Sequence, residues 1–275
     1  MESHPTILPP ELGGIVSLDH VNLRVPDQRL ATLFFIEGLG LTRDPYRMAG
    51  TGNMWINVGK QQLHLPTAEP QPFPGEIGLT LPDLDALKTR LLSVAEKLAE
   101  TEFAIAEEGG ALAVSDPWGR RLRLFQHPQG AAPGGEALAL AYVKFQVAPG
   151  ASPGIGDFYR EQLDGPTGPL EGGEGTGVAV RVGPHQTLAF VERQGAAPWV
   201  HNNHVCLYVT RYAEIYDNLA RKKVPAEEEN ATQFRFREIP DGHGGAALFH
   251  CEHEVRSLYH QDYGRALLNR MVTPQ

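Results

Sequence analysis

LDHVNLRV, residues 18–25, decides the fold because a strand of this kind begins four successive segments of the chain. Its apolar and polar residues alternate, as they do in a half-buried strand. LATLFFIEGLG follows as a short helix that ends at Gly38 and Gly40. NMWINVG and QQLHLP are then two strands joined by a turn at Gly59-Lys60. The pattern predicts a module in which one strand and one helix are followed by further strands.

The same order recurs three more times. EIGLTL begins a second module at residue 76, and RRLRLFQ ends it. AYVKFQVAP, residues 141–149, begins a third, and HVCLYV begins a fourth at His204. The fourth segment overlays the second without a gap from its first strand into its helix. Internal repetition at a fixed period is a strong indicator of architecture.

One such module cannot bury both faces of its sheet, so modules must pack in pairs. We therefore predict an α+β fold in which four βαβββ modules form two cup-shaped domains. The predicted boundaries are an N-terminal tail (1–15), a first domain of modules one and two (16–127), a linker rich in Pro, Gly and Ala (128–138), a second domain of modules three and four (139–260) and a C-terminal tail (261–275).

Composition narrows the class of partner. The chain has 275 residues and a net charge of −9, with 24 basic and 33 acidic side chains. A phosphate backbone requires a basic face, so we expect no nucleic-acid partner. No apolar run is long enough to span a bilayer, and the N-terminus lacks the features of a signal peptide. Two cysteines are too few for a disulfide framework. We expect a cytoplasmic protein that binds a small molecule.

The repeated modules resemble the vicinal oxygen chelate superfamily, which includes glyoxalase I, bleomycin-binding proteins and extradiol dioxygenases. The resemblance rests on LDHVNLRV, the VGKQQLHLP hairpin, EIGLTLPDLDAL and the DPWGRRLRLFQ ending, and it extends over residues 16–260. It implies two glyoxalase-like domains whose cups hold a small-molecule substrate or ligand. It is also compatible with a homodimer.

The resemblance further implies candidate metal ligands, one on the first strand and one on the last strand of each module. The first module offers His20 and His64. The second offers Glu76, but it has Arg123 where a ligand carboxylate is usual. A guanidinium has no lone pair to donate to a metal.

The other two modules offer fewer ligands. The third has Tyr142 and Ala189 at the two positions, and neither is convincing. The fourth has His204 on its first strand. The last strand of this module aligns poorly with the last strands of the other modules. Either His250 or Glu252 could therefore be its second metal ligand.

The pairing of the modules decides which of these residues meet. If neighbours pair, the first cup gathers His20, His64 and Glu76, a set that suits Fe(II), Mn, Ni or Zn. Glu76 and Arg123 would then be the catalytic residues, with Arg123 positioning an anionic group. We favour this scheme because segments adjacent in sequence commonly pack together.

In the alternative scheme the outer modules pair with each other. The site then gathers His20, His64 and His204, and His250 or Glu252 completes it. The inner modules would combine the remaining positions, which bind a metal poorly.

The function expected from these residues is that of a divalent-metal-dependent enzyme. The lyase, isomerase and dioxygenase types all remain open. The alternative is a metal-free protein that binds or sequesters a drug or metabolite, and Arg123 is the main argument for it. Glu252, Glu254 and Arg256 alternate along the last strand, and we expect their face to be exposed to solvent or to lie at a domain surface.

Overall fold

The computed structural model describes residues 13–47, 50, 52–126, 136–170, 175–196, 203–241 and 246–270. Most of the predicted N-terminal tail, most of the predicted linker and the last five residues lie outside these ranges. No helix within the ranges is long and apolar enough to cross a membrane.

Each module contributes a helix and several strands. The helices are α1 (Gln28–Ala31), which continues as a π-helical segment (Thr32–Gly38), α2 (Leu84–Val94), α3 (Ser152–Leu163) and α4 (Tyr212–Arg221). The strands of the first two modules are β1 (Ile15–Asn22), β2 (Thr42–Arg43), β3 (Asn53–Val58), β4 (Gln61–Pro66), β5 (Gly75–Leu81), β6 (Ala104–Glu108), β7 (Ala111–Ser115) and β8 (Arg121–Gln126). Those of the last two are β9 (Ala139–Val147), β10 (Thr167–Pro169), β11 (Gly177–Gly183), β12 (Gln186–Glu192), β13 (His204–Val209), β14 (Ala226–Asn230), β15 (Gln233–Ile239) and β16 (Phe249–Ser257).

A Pro-Asp pair, Pro26-Asp27 or Pro82-Asp83, precedes the helix in each of the first two modules. The carboxylate of Asp27 accepts hydrogen bonds from the backbone N–H groups of Arg29 and Leu30 at the start of α1. Asp83 accepts one from Ala86 at the start of α2. These side chains satisfy N–H groups that have no partner within the helix.

The strands form two eight-stranded mixed sheets, which confirms the predicted α+β fold. One sheet has the order β14-β15-β16-β13-β1-β4-β3-β2, and the other has the order β10-β11-β12-β9-β5-β8-β7-β6. In each module the first and last strands are parallel neighbours, as β1 and β4 are.

The strand order differs from the pairing that we favoured. The first and fourth modules share one sheet, and the second and third share the other. This is the alternative scheme. The alternation of apolar residues is alike in all four modules, so it does not encode which two first strands lie side by side.

Close packing divides the chain into two compact units. One unit comprises residues 1–19 and 142–265, and the other comprises residues 20–141 and 266–275. Two of the three divisions fall within β1 and within β9, the first strands of the first and third modules, and the third follows residue 265.

In the unit of residues 20–141, β1, β3 and β4 carry different side chains on their two faces. One face is apolar and buried, with Val21, Ile56 and Leu63. The opposite face carries polar side chains that are also buried, His20 and Gln62 among them. The polar face is buried because its groups hydrogen-bond to one another.

Candidate functional site

His20 and His64 lie together on the polar face of the first module. The parallel register of β1 and β4 places His20 opposite Gln62 and Asn22 opposite His64. The two imidazole ring centroids are 6.0 Å apart. His20 is fully buried. Both histidines therefore point to the same side of the sheet, as the sequence predicts.

The two ring nitrogens of His64 are held by amide side chains. The Asn22 amide donates to Nδ1 at 2.9 Å, and Nε2–H donates to Oδ1 of Asn53 at 2.6 Å. This arrangement defines one neutral tautomer of His64. Oδ1 of Asn22 is buried and has no hydrogen-bond partner among the described residues. The first module thus holds a neutral imidazole beside an unsatisfied carbonyl oxygen.

A second polar cluster supports this face. The amide of Gln62 donates to Oδ2 of Asp44 at 2.8 Å and to Oδ1 of Asn57 at 2.7 Å. Asn57 in turn donates to the carbonyl oxygen of Leu268 at 2.8 Å. Because both amide hydrogens of Gln62 are used, its side chain has one defined orientation next to His20.

Trp55 packs against both histidines. Its ring is stacked on His64 at a centroid distance of 3.9 Å with planes 11° apart, and His20 meets it edge-on at 4.9 Å. The guanidinium carbon of Arg47 lies 4.3 Å from the Trp55 ring centroid. A cation over an indole face is attracted by the ring quadrupole. Trp55 therefore fixes the imidazoles and brings a positive charge beside them.

In the unit of residues 142–265, His204 lies between two buried glutamates. The register of β13 and β16 places His204 opposite Glu252 and Cys206 opposite Glu254. His204 Nδ1 is 3.3 Å from Oε1 of Glu252, and Nε2 is 3.4 Å from Oε2 of Glu254. Both carboxylates are almost fully buried. The alternation of these charges along β16 is confirmed, but the side chains are buried and not exposed to solvent.

Arginines neutralise the two carboxylates, which is why this strand can be buried. Arg235 places one η nitrogen 2.5 Å from Glu252 and the other 2.5 Å from Glu254. Arg237 reaches Glu252 at 3.1 Å, and Arg256 reaches Glu254 at 2.6 Å. A buried carboxylate is tolerated when such partners compensate its lost hydration.

The cluster keeps both glutamates ionised. Burial alone raises the pKa of Glu252, but the hydrogen bond with His204 and the charge of Arg235 outweigh burial and lower it to about 2. Burial likewise raises the pKa of Glu254, but His204, Arg256 and Arg235 together hold it below its usual value. Both carboxylates are therefore negatively charged at neutral pH.

The register corrects which residue of the fourth module corresponds to His64. His64 lies opposite the third residue of its first strand, Asn22, and Ala189 lies opposite the equivalent Lys144. In the fourth module the residue at that position is Glu254, opposite Cys206. We had offered His250 or Glu252. Glu252 instead lies directly beside His204. The sequence could not settle this, because the register is set by the pairing of β13 with β16, two strands that are distant in sequence.

Glu76 and Arg123 lie on β5 and β8, in the sheet that does not contain β1 and β4. Glu76 is opposite Arg121, whose Nη2 is 4.0 Å from its carboxylate. Arg123 is opposite Gly78 and forms an ion pair with Glu108 at 3.2 Å. The favoured ligand set of His20, His64 and Glu76 requires the first and second modules to share a sheet. In the observed strand order they belong to different sheets.

Amide side chains and an arginine surround these residues, and none of them was among the predicted site residues. Asn22 and Gln62 alternate with apolar residues in the strands that carry the histidines, and Asn53 begins the neighbouring strand β3. Polar residues at every second position of an otherwise buried strand were the available signal. No comparable signal marked Arg235, because charged residues alternating with apolar ones, as in FRFREI, are typical of an exposed strand face.

The donor chemistry fits a divalent ion of intermediate softness. Neutral imidazole nitrogens suit Zn, Fe, Ni and related metals. His64 is held in a neutral form, and the unsatisfied Asn22 oxygen beside it is an oxygen donor. Glu252 beside His204 Nδ1 matches the carboxylate that commonly orients a metal-binding histidine. His64 must give up one amide hydrogen bond to bind an ion.

Comparison of the amino-acid sequence with known families and curated proteins gives no match. No protein-family model matches the chain. No curated protein matches it either.

Solved structures do match. Glyoxalase I from Zea mays is 13% identical, with a TM-score of 0.59, and the match covers 88% of this chain and 92% of that one. A putative dioxygenase from Bacillus subtilis subsp. subtilis str. 168 is 14% identical, with a TM-score of 0.56 and coverage of 93% and 92%. The cppA protein from Streptococcus pneumoniae TIGR4 is 12% identical, with a TM-score of 0.50 and coverage of 89% and 98%. Identities this low bear on the fold alone. The chain therefore shares its fold with these solved structures.

Proposed function

We propose that this protein is a divalent-metal-dependent enzyme of the lyase, isomerase or dioxygenase type that acts on a small organic substrate. The observation that carries the proposal is the buried polar face of β1, β3 and β4, where His20 and His64 are oriented by Trp55 and by amides. A protein that only encloses an apolar ligand does not need such a face. Glyoxalase I and a putative dioxygenase among the structural matches support this class.

The ligands in this proposal are His20, His64 and His204, with Glu254 at the position equivalent to His64. The strand order supports the set, because β13, β1 and β4 are successive strands of one sheet. Glu252 has the role of orienting His204 through Nδ1. When bound, a divalent ion supplies Lewis acidity to two oxygens of the substrate.

The protein residues prepare the site for such a substrate. Asn22 and Asn53 keep His64 neutral, so a lone pair remains on its ring. Trp55 restricts both imidazoles by packing, which lowers the cost of ordering them on binding. Arg47 gives the rim of this face a positive charge that favours an anionic substrate.

Metal titration of the purified protein tests the proposal. Fe(II), Mn, Ni and Zn are added to wild-type protein and to His20→Ala, and bound metal is counted by mass spectrometry. The matched control is His185→Ala, which removes an exposed histidine from the β11–β12 turn. We expect one ion per chain and a loss of affinity of about 100-fold or more in His20→Ala. His185→Ala should bind like the wild type.

If the wild type binds none of the four metals, or if His20→Ala binds as tightly as the wild type, the enzyme proposal fails. The remaining function is then a metal-free small-molecule binding protein. The hydrogen bonds on both nitrogens of His64 favour this second candidate, because they satisfy the imidazole without an ion. The arginines that pair with Glu252 and Glu254 favour it for the same reason.

We also propose that the protein acts in the cytoplasm. Cys206 and Cys251 are buried and form no disulfide, which suits a reducing compartment. A homodimer is part of the proposal, and light scattering during size-exclusion chromatography measures it.

A further inference from the structure

The two sheets of the described chain end at four outer strands, β14, β2, β10 and β6. Three of these strands discourage pairing with another chain. β2 has only two residues, and its Thr42 accepts a hydrogen bond from the backbone N–H of Arg270 at 2.8 Å. β10 contains Pro169, which has no N–H to donate. β14 contains three glutamates in succession. Short length, proline and charge are the usual protections of a sheet edge.

The fourth outer strand, β6 (Ala104–Glu108), lacks these protections. It has five residues, no proline and mostly exposed side chains. Its two glutamates are compensated within the unit of residues 20–141. Glu107 forms an ion pair with Lys88 of α2, and Glu108 forms one with Arg123 of β8 at 3.2 Å. Because the acidic charge of this edge is neutralised, a second identical edge is not strongly repelled.

The hairpin of β6 and β7 determines which backbone groups of β6 point outward. Its two-residue turn is Gly109-Gly110, with φ of 58° and 80°, so Glu108 and Ala111 on either side of the turn form a hydrogen-bonded pair. Bonded and non-bonded pairs alternate along antiparallel strands. The N–H and carbonyl groups of Ile105 and Glu107 therefore point away from β7. Neither residue has a further backbone partner in the part of the chain that the structure describes.

These outward groups are complementary to those of a second copy. When two β6 strands meet antiparallel about a two-fold axis at Ala106, Ile105 of each copy lies opposite Glu107 of the other. Each of these two pairs exchanges two N–H···O=C bonds. Ala106 then lies opposite Ala106 of the second copy, and such small side chains allow the strands to approach. The same register keeps the two Glu107 carboxylates from facing each other directly.

An exposed leucine extends this surface beside the edge. Lys88 reaches Glu107, so this side of α2 borders β6. Leu92 follows Lys88 by one helical turn, which places it on the same side of the helix, and it is 53% exposed. Ile105 lies on the same face of the sheet as Glu107, because the two residues are separated by one position. A two-fold axis perpendicular to the sheet brings this apolar surface of both copies to one side of the contact.

We infer that β6 is the surface through which two copies of this chain associate, and this rests on the homodimer proposed above. Four backbone hydrogen bonds and the apolar surface of Leu92 and Ile105 stabilise the contact. The contact does not depend on a metal, because it shares none of the proposed ligands.

Sedimentation velocity over a range of protein concentrations tests the surface. We expect a wild-type dimer with Kd of about 10 μM, as suits a small interface. Glu107→Pro removes an outward N–H that the single chain does not use, so the fold should tolerate it. The Kd should rise about 30-fold or more, because one bond is lost from each copy. Glu107→Gln keeps the N–H and is the matched control, with a Kd within about threefold of the wild type.

A charge swap at the two-fold axis is the second test, and circular dichroism checks that each variant is folded. Ala106→Lys and Ala106→Glu each place like charges opposite each other, so each variant alone should be monomeric. An equal mixture of the two should form heterodimers. This result does not require Glu107→Pro to fold.

A monomeric wild type at concentrations about tenfold above the expected Kd overturns both the surface and the homodimer. A dimer that persists in Glu107→Pro, or Ala106 variants that do not pair selectively with each other, overturns the surface alone. His20→Ala should dimerise like the wild type, so a failure here is distinct from a failure of the metal proposal.

Discussion

The side-chain amide of Gln186 forms two hydrogen bonds with the backbone of Leu18. Leu18 N–H donates to Oε1 at 3.0 Å, and Nε2 donates to the Leu18 carbonyl oxygen at 2.9 Å. Gln61, at the equivalent position of the first module, accepts from the N–H of Leu140 at 3.2 Å. Leu18 and Leu140 are equivalent residues of β1 and β9. In both cases, a glutamine at the start of the last strand of one module forms hydrogen bonds with the backbone of the first strand of another module.

Replacing Gln186 by Ala should lower the free energy of unfolding by about 2 kcal/mol, because it leaves two buried backbone groups of Leu18 without partners. Gln61→Ala removes only one such bond and should cost about 1 kcal/mol. Urea denaturation measures both. A cost for Gln61→Ala equal to or above that for Gln186→Ala would contradict this account.

Replacing Arg235 by Met should lower the free energy of unfolding by about 3 kcal/mol, because Glu252 and Glu254 both lose a buried partner. Arg237→Met is the matched control. The Arg237 side chain is 57% exposed although it also reaches Glu252, so its loss should cost less than about 1 kcal/mol. Thermal and chemical denaturation measure the difference between the two variants. Similar costs would mean that the burial of Arg235 has no energetic consequence.

Stability should fall when the pH decreases from 6.5 to 4, because of His253. Burial lowers the pKa of His253 from 6.5 to about 4 in the folded protein, and its bond to the Cys251 carbonyl and the charge of Glu252 oppose this only in part. The unfolded chain therefore takes up the proton first. The stabilising contribution of neutral His253 is complete above pH 6.5. It amounts to about 3 kcal/mol and is lost as the pH falls from 6.5 to 4.

The double variant Tyr159→Phe/His253→Phe tests this pH dependence on metal-free protein. Tyr159 donates to Nε2 of His253 at 2.5 Å, so the variant removes both members of the pair. Its free energy of unfolding should change much less between pH 6.5 and 4 than that of the wild type. His250→Ala, an unrelated histidine on the same strand, should keep the slope. An unchanged slope in the double variant refutes the assignment to His253.

Replacing Glu252 by Gln should weaken metal binding about 10-fold to 100-fold, because a neutral amide orients and polarises His204 less well than a carboxylate. The bound ion is counted after dialysis against a graded series of chelator concentrations. Glu238→Gln, a more exposed glutamate that pairs with His250, should have no effect. Equal affinities in the two variants would remove Glu252 from the proposed site.

The local pattern of the chain predicted much of the fold. The modules, their strand and helix order, and the Pro-Asp helix starts follow from side-chain alternation and capping, which act over a few residues. Even the equivalence of His64 with Ala189 is reproduced by the parallel registers. The exposure of Glu252 and Glu254 could not be predicted, since it depends on Arg235, which is distant in sequence from both.

By itself, the sequence determined that four similar modules build this protein, because strand periodicity is a property of adjacent residues. Only the tertiary structure decided that the first module shares a sheet with the fourth and that Glu254 stands where His64 stands in its own module. The physical reason is that strand pairing is set by contacts between distant segments. The first strand of every module has a similar alternation of apolar and polar residues. The packing of the whole chain therefore selects which two first strands become neighbours.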